Sequence, residues 1–149
     1  MIDTLQPVLA RWEETHLSLV DCLNQFPEDR FLWRPAPRAT TAAEIVTHTA
    51  RAEIHYGCRI LDQPREPFEP EVLDRASALA VVEQAAEQAR AIFYQLRTED
   101  LDRVIAEVWH PLTARVEGKM TPLWFLEQMN RHKAYHLGQL WYLSLMLES

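Results

Sequence analysis

The sequence predicts an all-α protein, a four-helix bundle in a single domain spanning residues 1–149, and three observations predict it. Four amphipathic segments of about 20 residues follow one another along the chain, each long enough for a helix of roughly 30 Å. There are only three glycines, and the nine prolines cluster between those segments, which marks defined joints more than many short strands. The length of 149 residues, 48% apolar and 25% charged, suits one domain with one core.

The first helix is expected from about Asp3 to Phe26, with Leu5, Leu9, Trp12, Leu19, Val20 and Leu23 on one broad face and Pro27 as its stop. The segment PEDRFLWRPAPRAT follows, and its prolines make it an irregular loop. The second helix begins after Thr40–Thr41. Thr41 and Glu44 have capping-box spacing, and the helix should run to about Leu61 with Ile45, His48, Ala52 and Tyr56 facing inward. The stretch DQPREPFEPEVLD interrupts the pattern. A third helix then runs from about Ala76 to Leu96, burying Leu79, Val82, Ala86, Ala89, Phe93 and Leu96.

Residues 98–121 alternate in part around HPLT and predict a short β-hairpin ornament before the last helix. That helix starts with Thr121 as N-cap and Pro122 as first residue, and continues almost to Ser149. The joint between the second and third helices has about 14 residues, enough to span roughly 45 Å when extended. It is long enough to return along a helix, so the second and third helices are permitted to lie parallel.

Charge and cysteine usage exclude several classes. The formal net charge is −7 and no Lys/Arg stripe stands out, so no nucleic-acid partner is expected. Cys22 and Cys58 are too far apart for a CxxC motif, each falls within an expected helix, and both read as buried reduced thiols. The N-terminal stretch lacks a basic-then-apolar signal pattern, and its Arg and Glu residues break any membrane run. The expectation is a cytoplasmic protein with no membrane partner.

The stretch RHKAYHLGQLWYL places His132 and His136 four apart in the last helix. They belong to the stripe Phe125, Met129, His132, His136, Leu140, Leu143 and Leu147, whose other members are apolar. Both imidazoles therefore lie on the seam that meets the other helices. Buried imidazoles without partners cost on the order of a few kcal/mol. A divalent metal relieves that cost, because two histidines four apart on a helix reach one ion. The residue after His132 is Lys133, so this is not the HExxH protease motif and no general-base Glu is supplied there. A third ligand should come from a facing helix, and His48 is the best placed; alone it reads more readily as a hydrogen-bonded core residue.

Three imidazoles leave a coordination position open, as catalytic sites do, and suit zinc, nickel, copper or iron. Glu44 and Gln128, one turn from the candidate ligands, are expected to support them. His55 lies about 10 Å from His48 along the helix, too far to share the ion; it reads as lining a pocket or sitting at a wet rim, with the rim preferred. His16 and His110 read as surface or loop residues, and Trp33, Trp124 and Trp141 as packing residues.

Two motifs carry a family resemblance. LWRPAPRATTAAEIVTHTARAE resembles the second-helix region of the DinB/YfiT-like superfamily, and MTPLWFLEQMNRHKAYHLGQL resembles its last helix, where HxxxH is followed by RGQ. Gly138 and Gln139 match that pattern, whereas Leu137 stands in the place of the usual Arg. The resemblance covers nearly the whole chain. It implies a bundle of up-down-down-up topology, a metal triad of His48, His132 and His136 with zinc or nickel, and a homodimer.

Characterised members of the superfamily include transferases and isomerases that use low-molecular-weight thiols, and others are assigned only as metal-dependent hydrolases. The implied function is therefore that of a metal-dependent enzyme activating a small thiol or water toward a small-molecule substrate. The rival is a non-enzymatic module that binds a metal or small ligand in a stress response, and a third alternative is a bundle that has lost its metal.

Overall fold

The structure, a computed structural model, describes residues 1–109 and 115–148. Its elements are α1 (Gln6–Gln25), α2 (Ala42–Ile60), α3 (Arg75–Gln95), β1 (Ala106–Trp109), β2 (Val116–Met120) and α4 (Pro122–Glu148). Short 3-10 turns precede α1 and follow both α1 and α3.

Local chemistry sets the helix ends. The Thr41 hydroxyl accepts from the Glu44 backbone N–H at 3.1 Å, and the Glu44 carboxylate accepts from the Thr41 N–H at 2.8 Å, the reciprocal cap expected from the sequence. Asp74 and Ser77 cap α3 in the same manner. The Thr121 hydroxyl accepts from the Trp124 N–H at 3.2 Å to begin α4. The proline loop before α2 is pinned by Arg34, which donates to the Ala39 carbonyl and, at 2.7 Å, to Glu44.

Two core clusters reveal the topology. At one end the N-terminal half of α1 (Val8, Trp12) meets the C-terminal half of α2 (Tyr56, Ile60), the C-terminal half of α3 (Ala89, Phe93) and the N-terminal half of α4 (Phe125, Met129). At the other end Leu19 and Leu23 of α1 meet Ile45 and Ala50 of α2, Ala78 and Val82 of α3, and Leu140 and Leu143 of α4. Hence α1 and α4 are parallel, α2 and α3 are parallel, and the pairs run oppositely: up, down, down, up. The crossover at 61–74 makes this wiring possible. It is tied down by the buried Val72, by Phe68 packed on the core, and by Arg51, which donates to the Phe68 carbonyl at 3.0 Å.

The expected hairpin is present. β1 and β2 pair antiparallel, with an irregularity between Ala106 and Val108, and Gly118 adopts φ +144°, where a side chain would be strained. Met120 is buried beneath it against the α4 end of the bundle. Trp33 and Trp124 pack against the core as expected, but Trp141 is 41% exposed. Among the described residues no helix is long and apolar enough to cross a membrane.

Candidate metal centre

α2 and α4 pack side by side and bring three imidazoles together. His48 Nε2 lies 3.1 Å from His132 Nε2, and His136 Nε2 lies 3.1 Å from the same atom. All three nitrogens fall within 4.8 Å of one another, a group that could hold a metal ion. An ion about 2.0–2.1 Å from both members of a 3.1 Å pair sees them roughly 95–100° apart, an angle between octahedral and tetrahedral values. Hydrogen bonding alone satisfies the cluster poorly. His132 Nε2 carries either one proton or one lone pair, so it cannot serve both neighbours equally. The residues therefore fit a shared divalent cation.

Protonation favours the same arrangement. Burial, then the neighbouring His136 and His48, pushes the His132 imidazole down to about 3. Burial also lowers His48, aided by Arg51, and lowers His136 against the opposing effect of its Gln139 hydrogen bond. At neutral pH the rings are uncharged, the form that donates a lone pair to a metal. His136 Nδ1 lies 2.6 Å from Gln139 Oε1. With that oxygen accepting, the Nδ1 position holds the proton and Nε2 presents its lone pair to the centre.

The site is less enclosed than the sequence suggests. His136 is 7% exposed, His132 is half-buried and His48 is exposed. The buried sector of α2 is centred on Val46, Thr49, Ala50, Glu53, Gly57 and Ile60, because α2 packs against both α3 and α4. That rotation leaves His48 at the edge of the seam. A cleft of about 490 Å³ opens beside His136, lined by Tyr135, Gln139 and Tyr142 of α4 and by Pro35 and Thr40 of the proline loop. On the other flank Tyr56 meets the His132 ring edge-on at 5.7 Å.

The residue that follows His132 was legible in sequence only as the absence of a general base. Lys133 is 2% exposed, and its ammonium donates to Glu53 Oε1 at 3.0 Å with Oε2 at 2.7 Å. It lies 4.1 Å from the centroid of the Trp12 ring, whose Nε1–H donates to the same carboxylate at 3.0 Å. His16, expected at the surface, is 1% exposed and stacks on Trp12. Its Nδ1 accepts from Lys133 at 3.4 Å, so its Nε2–H donates to Glu83 at 3.0 Å. Burial, then the Lys133 charge, lowers the His16 pKa; burial lowers that of Lys133 against the pull of Glu53. This buried network ties α1, α2 and α4 together directly behind the histidines.

Other expectations need correction. Glu44 caps α2 and pairs with Arg34, and Gln128 accepts from Arg131; the group that orients a candidate ligand is Gln139. His55, half-buried, lines an open hollow, and its Nδ1 is buried with no partner among the described residues. Cys22 is buried, whereas Cys58 is only partly so. His110 lies outside the described residues.

Comparison with known proteins agrees with this fold. The fold is similar to that of a conserved protein from Enterococcus faecalis (TM-score 0.73, 16% identity, 95% of each chain covered). It is similar also to a DinB-like protein from Bacillus subtilis (TM-score 0.71, 18% identity, 97% of this chain and 93% of that one). A protein described as a four-helix bundle matches with TM-score 0.58 and 21% identity, over 90% of this chain and 94% of that one. No curated protein matches the chain. The profile of the DinB superfamily matches residues 8–140, a span that reaches from α1 into α4 and includes all three converging histidines, and the chain belongs to that superfamily.

Proposed function

We propose that the protein is a metal-dependent enzyme in which His48, His132 and His136 hold one divalent ion, zinc or nickel. The supporting observation is the convergence of three uncharged imidazole nitrogens from two helices, one of them oriented by Gln139. When bound, the ion supplies Lewis acidity that makes a small thiol or a water more acidic and more nucleophilic at neutral pH. The chain's own residues supply the rest. Gln139 holds the His136 proton on Nδ1, and the Lys133–Glu53 pair holds α2 and α4 in register so that the rings are positioned before substrate arrives.

The cleft between α4 and the proline loop receives the organic body of the substrate, with Tyr135 and Tyr142 offering aromatic faces to it. Between thiol transfer and hydrolysis we favour transfer of a low-molecular-weight thiol to an electrophilic small molecule, on the strength of the family resemblance. We extend the same proposal to a cytoplasmic homodimer.

A conjugation screen tests this: several small thiols against a panel of electrophiles, with metal-loaded protein and with the His136→Ala variant. The expected result is turnover that the variant lacks. Turnover equal in both proteins removes the metal from the reaction. A fully metal-loaded protein inert across the panel and toward ester and amide hydrolysis favours the binding-module alternative.

A further inference from the structure

The hollow that His55 lines is separate from the histidine cluster. His55 is seven residues beyond His48, two helical turns and about 10 Å along α2. The hollow has a volume of about 320 Å³, and its wall includes His55, Arg59, Asp62, Gln63 and Arg65.

Its charges lack partners within the chain. The protein carries a net charge of −7, and several arginines pair with carboxylates: Arg11 with Glu127, Arg51 with Glu69, Arg75 with Glu28, Arg90 with Glu13; Arg103 and Arg131 donate instead to the Ile60 carbonyl and to Gln128. Among the described residues Arg59 and Arg65 have neither an ion-pair partner nor a hydrogen bond from the guanidinium. Arg59 lies over the rings of Phe125 and Trp109, at 5.4 and 6.0 Å, a contact that leaves the edge of its N–H fork free.

Helix capping does not explain them. The carbonyls of the last turn of α2 are already taken: Gly57 by the Leu61 N–H, Cys58 by the Gln63 N–H and Ile60 by Arg103. His55 forms part of the same wall; its Nδ1 has no partner among the described residues but is closed to solvent, so the two guanidinium groups are what the hollow itself presents. Burial, then Arg65 and Arg59, lowers the His55 pKa, so the ring is neutral. A metal is the wrong occupant, because two guanidinium charges repel it. Among the described lining residues one carboxylate, Asp62, stands against them, which leaves that lining net positive.

We propose that this hollow binds a small oxyanion, a carboxylate or phosphate group, with Arg59 and Arg65 presenting guanidinium N–H groups beside the neutral His55 ring. Planar and tetrahedral oxyanions both match a guanidinium fork. The site is independent of whether the histidine cluster holds a metal.

The test follows the His55 imidazole resonances by NMR at constant ionic strength, set with chloride, while inorganic phosphate or succinate is added. The comparison protein is Arg65→Gln, chosen because Arg65 is an exposed residue of the crossover whose loss leaves the bundle intact. The expected result is a saturable shift with half-saturation below about 5 mM. In Arg65→Gln the binding weakens by about tenfold or more, the loss of one charge-assisted interaction. Saturation by phosphate alone assigns a phosphate-bearing ligand, by succinate alone a carboxylate-bearing one, and by both an unselective oxyanion site. A response to both anions no greater than that to chloride, or equal binding by Arg65→Gln and the parent, overturns the proposal.

Discussion

Replacing Lys133 with methionine removes a buried ammonium while nearly preserving the volume and length of the side chain. The structure sets the magnitude. Lys133 and Glu53 are 2% and 4% exposed, and the ammonium touches both carboxylate oxygens, at 3.0 and 2.7 Å. Without it the Glu53 carboxylate stays buried with only the Trp12 Nε1–H as donor, and His16 Nδ1 loses its donor too. Breaking one partner from a buried ion pair costs about 3–5 kcal/mol. At this chain length about 3 °C of melting temperature corresponds to each kcal/mol, so differential scanning calorimetry at neutral pH should show a drop of roughly 9–15 °C. The double variant Lys133→Met/Glu53→Leu, which removes both charges, should recover at least half of that loss, because apolar replacement of a whole buried pair is often neutral. A single-variant drop below about 3 °C, or a double variant no better than the single, would refute the buried-pair account.

The Gln139→Leu variant should bind zinc about 10–100-fold more weakly, because the His136 ring loses the acceptor that fixes its tautomer, and Gln139→Glu should restore binding; competition with a chelator measures both. In His136→Ala, bound metal after dialysis against buffered zinc should fall by about tenfold or more, measured by elemental analysis. For the metal-free protein, stability should decline as pH falls below about 6.5, the ordinary histidine value. The unfolded chain then takes up a proton that folded His132 refuses until about pH 3, so the loss accrues across that window and is visible in urea titrations at stepped pH. Ellman's reagent should titrate Cys58 in the native protein and reach Cys22 only after unfolding, because Cys22 is buried and its thiol pKa is pushed up to about 11.

The bundle was legible because its signals are local. Apolar residues repeat at helical spacing, Thr41–Glu44 and Thr121–Pro122 mark two starts, and the 61–74 joint is long enough for the crossover that the paired helix ends reveal. The three histidines were legible for a related reason: His132 and His136 are one turn apart, and His48 shares a stripe with Ile45, Ala52 and Tyr56. Partners distant in sequence were hidden. Nothing near Lys133 indicates that Glu53, 80 positions away on α2, will bury its charge, and nothing near His16 announces Lys133. A charged residue on a helix reads as a solvated one until its partner is known. The exposure of His48 was missed for a geometric reason. α2 faces two neighbours, so its buried sector is centred between them and not on any single stripe.

X-ray absorption at the metal edge of the reconstituted, untagged protein addresses the central claim directly. The account predicts three imidazole nitrogens at about 2.0–2.1 Å around one ion per chain, falling to two in the His48→Ala variant. A shell with fewer than two imidazoles, or a spectrum unchanged by that substitution, would contradict it.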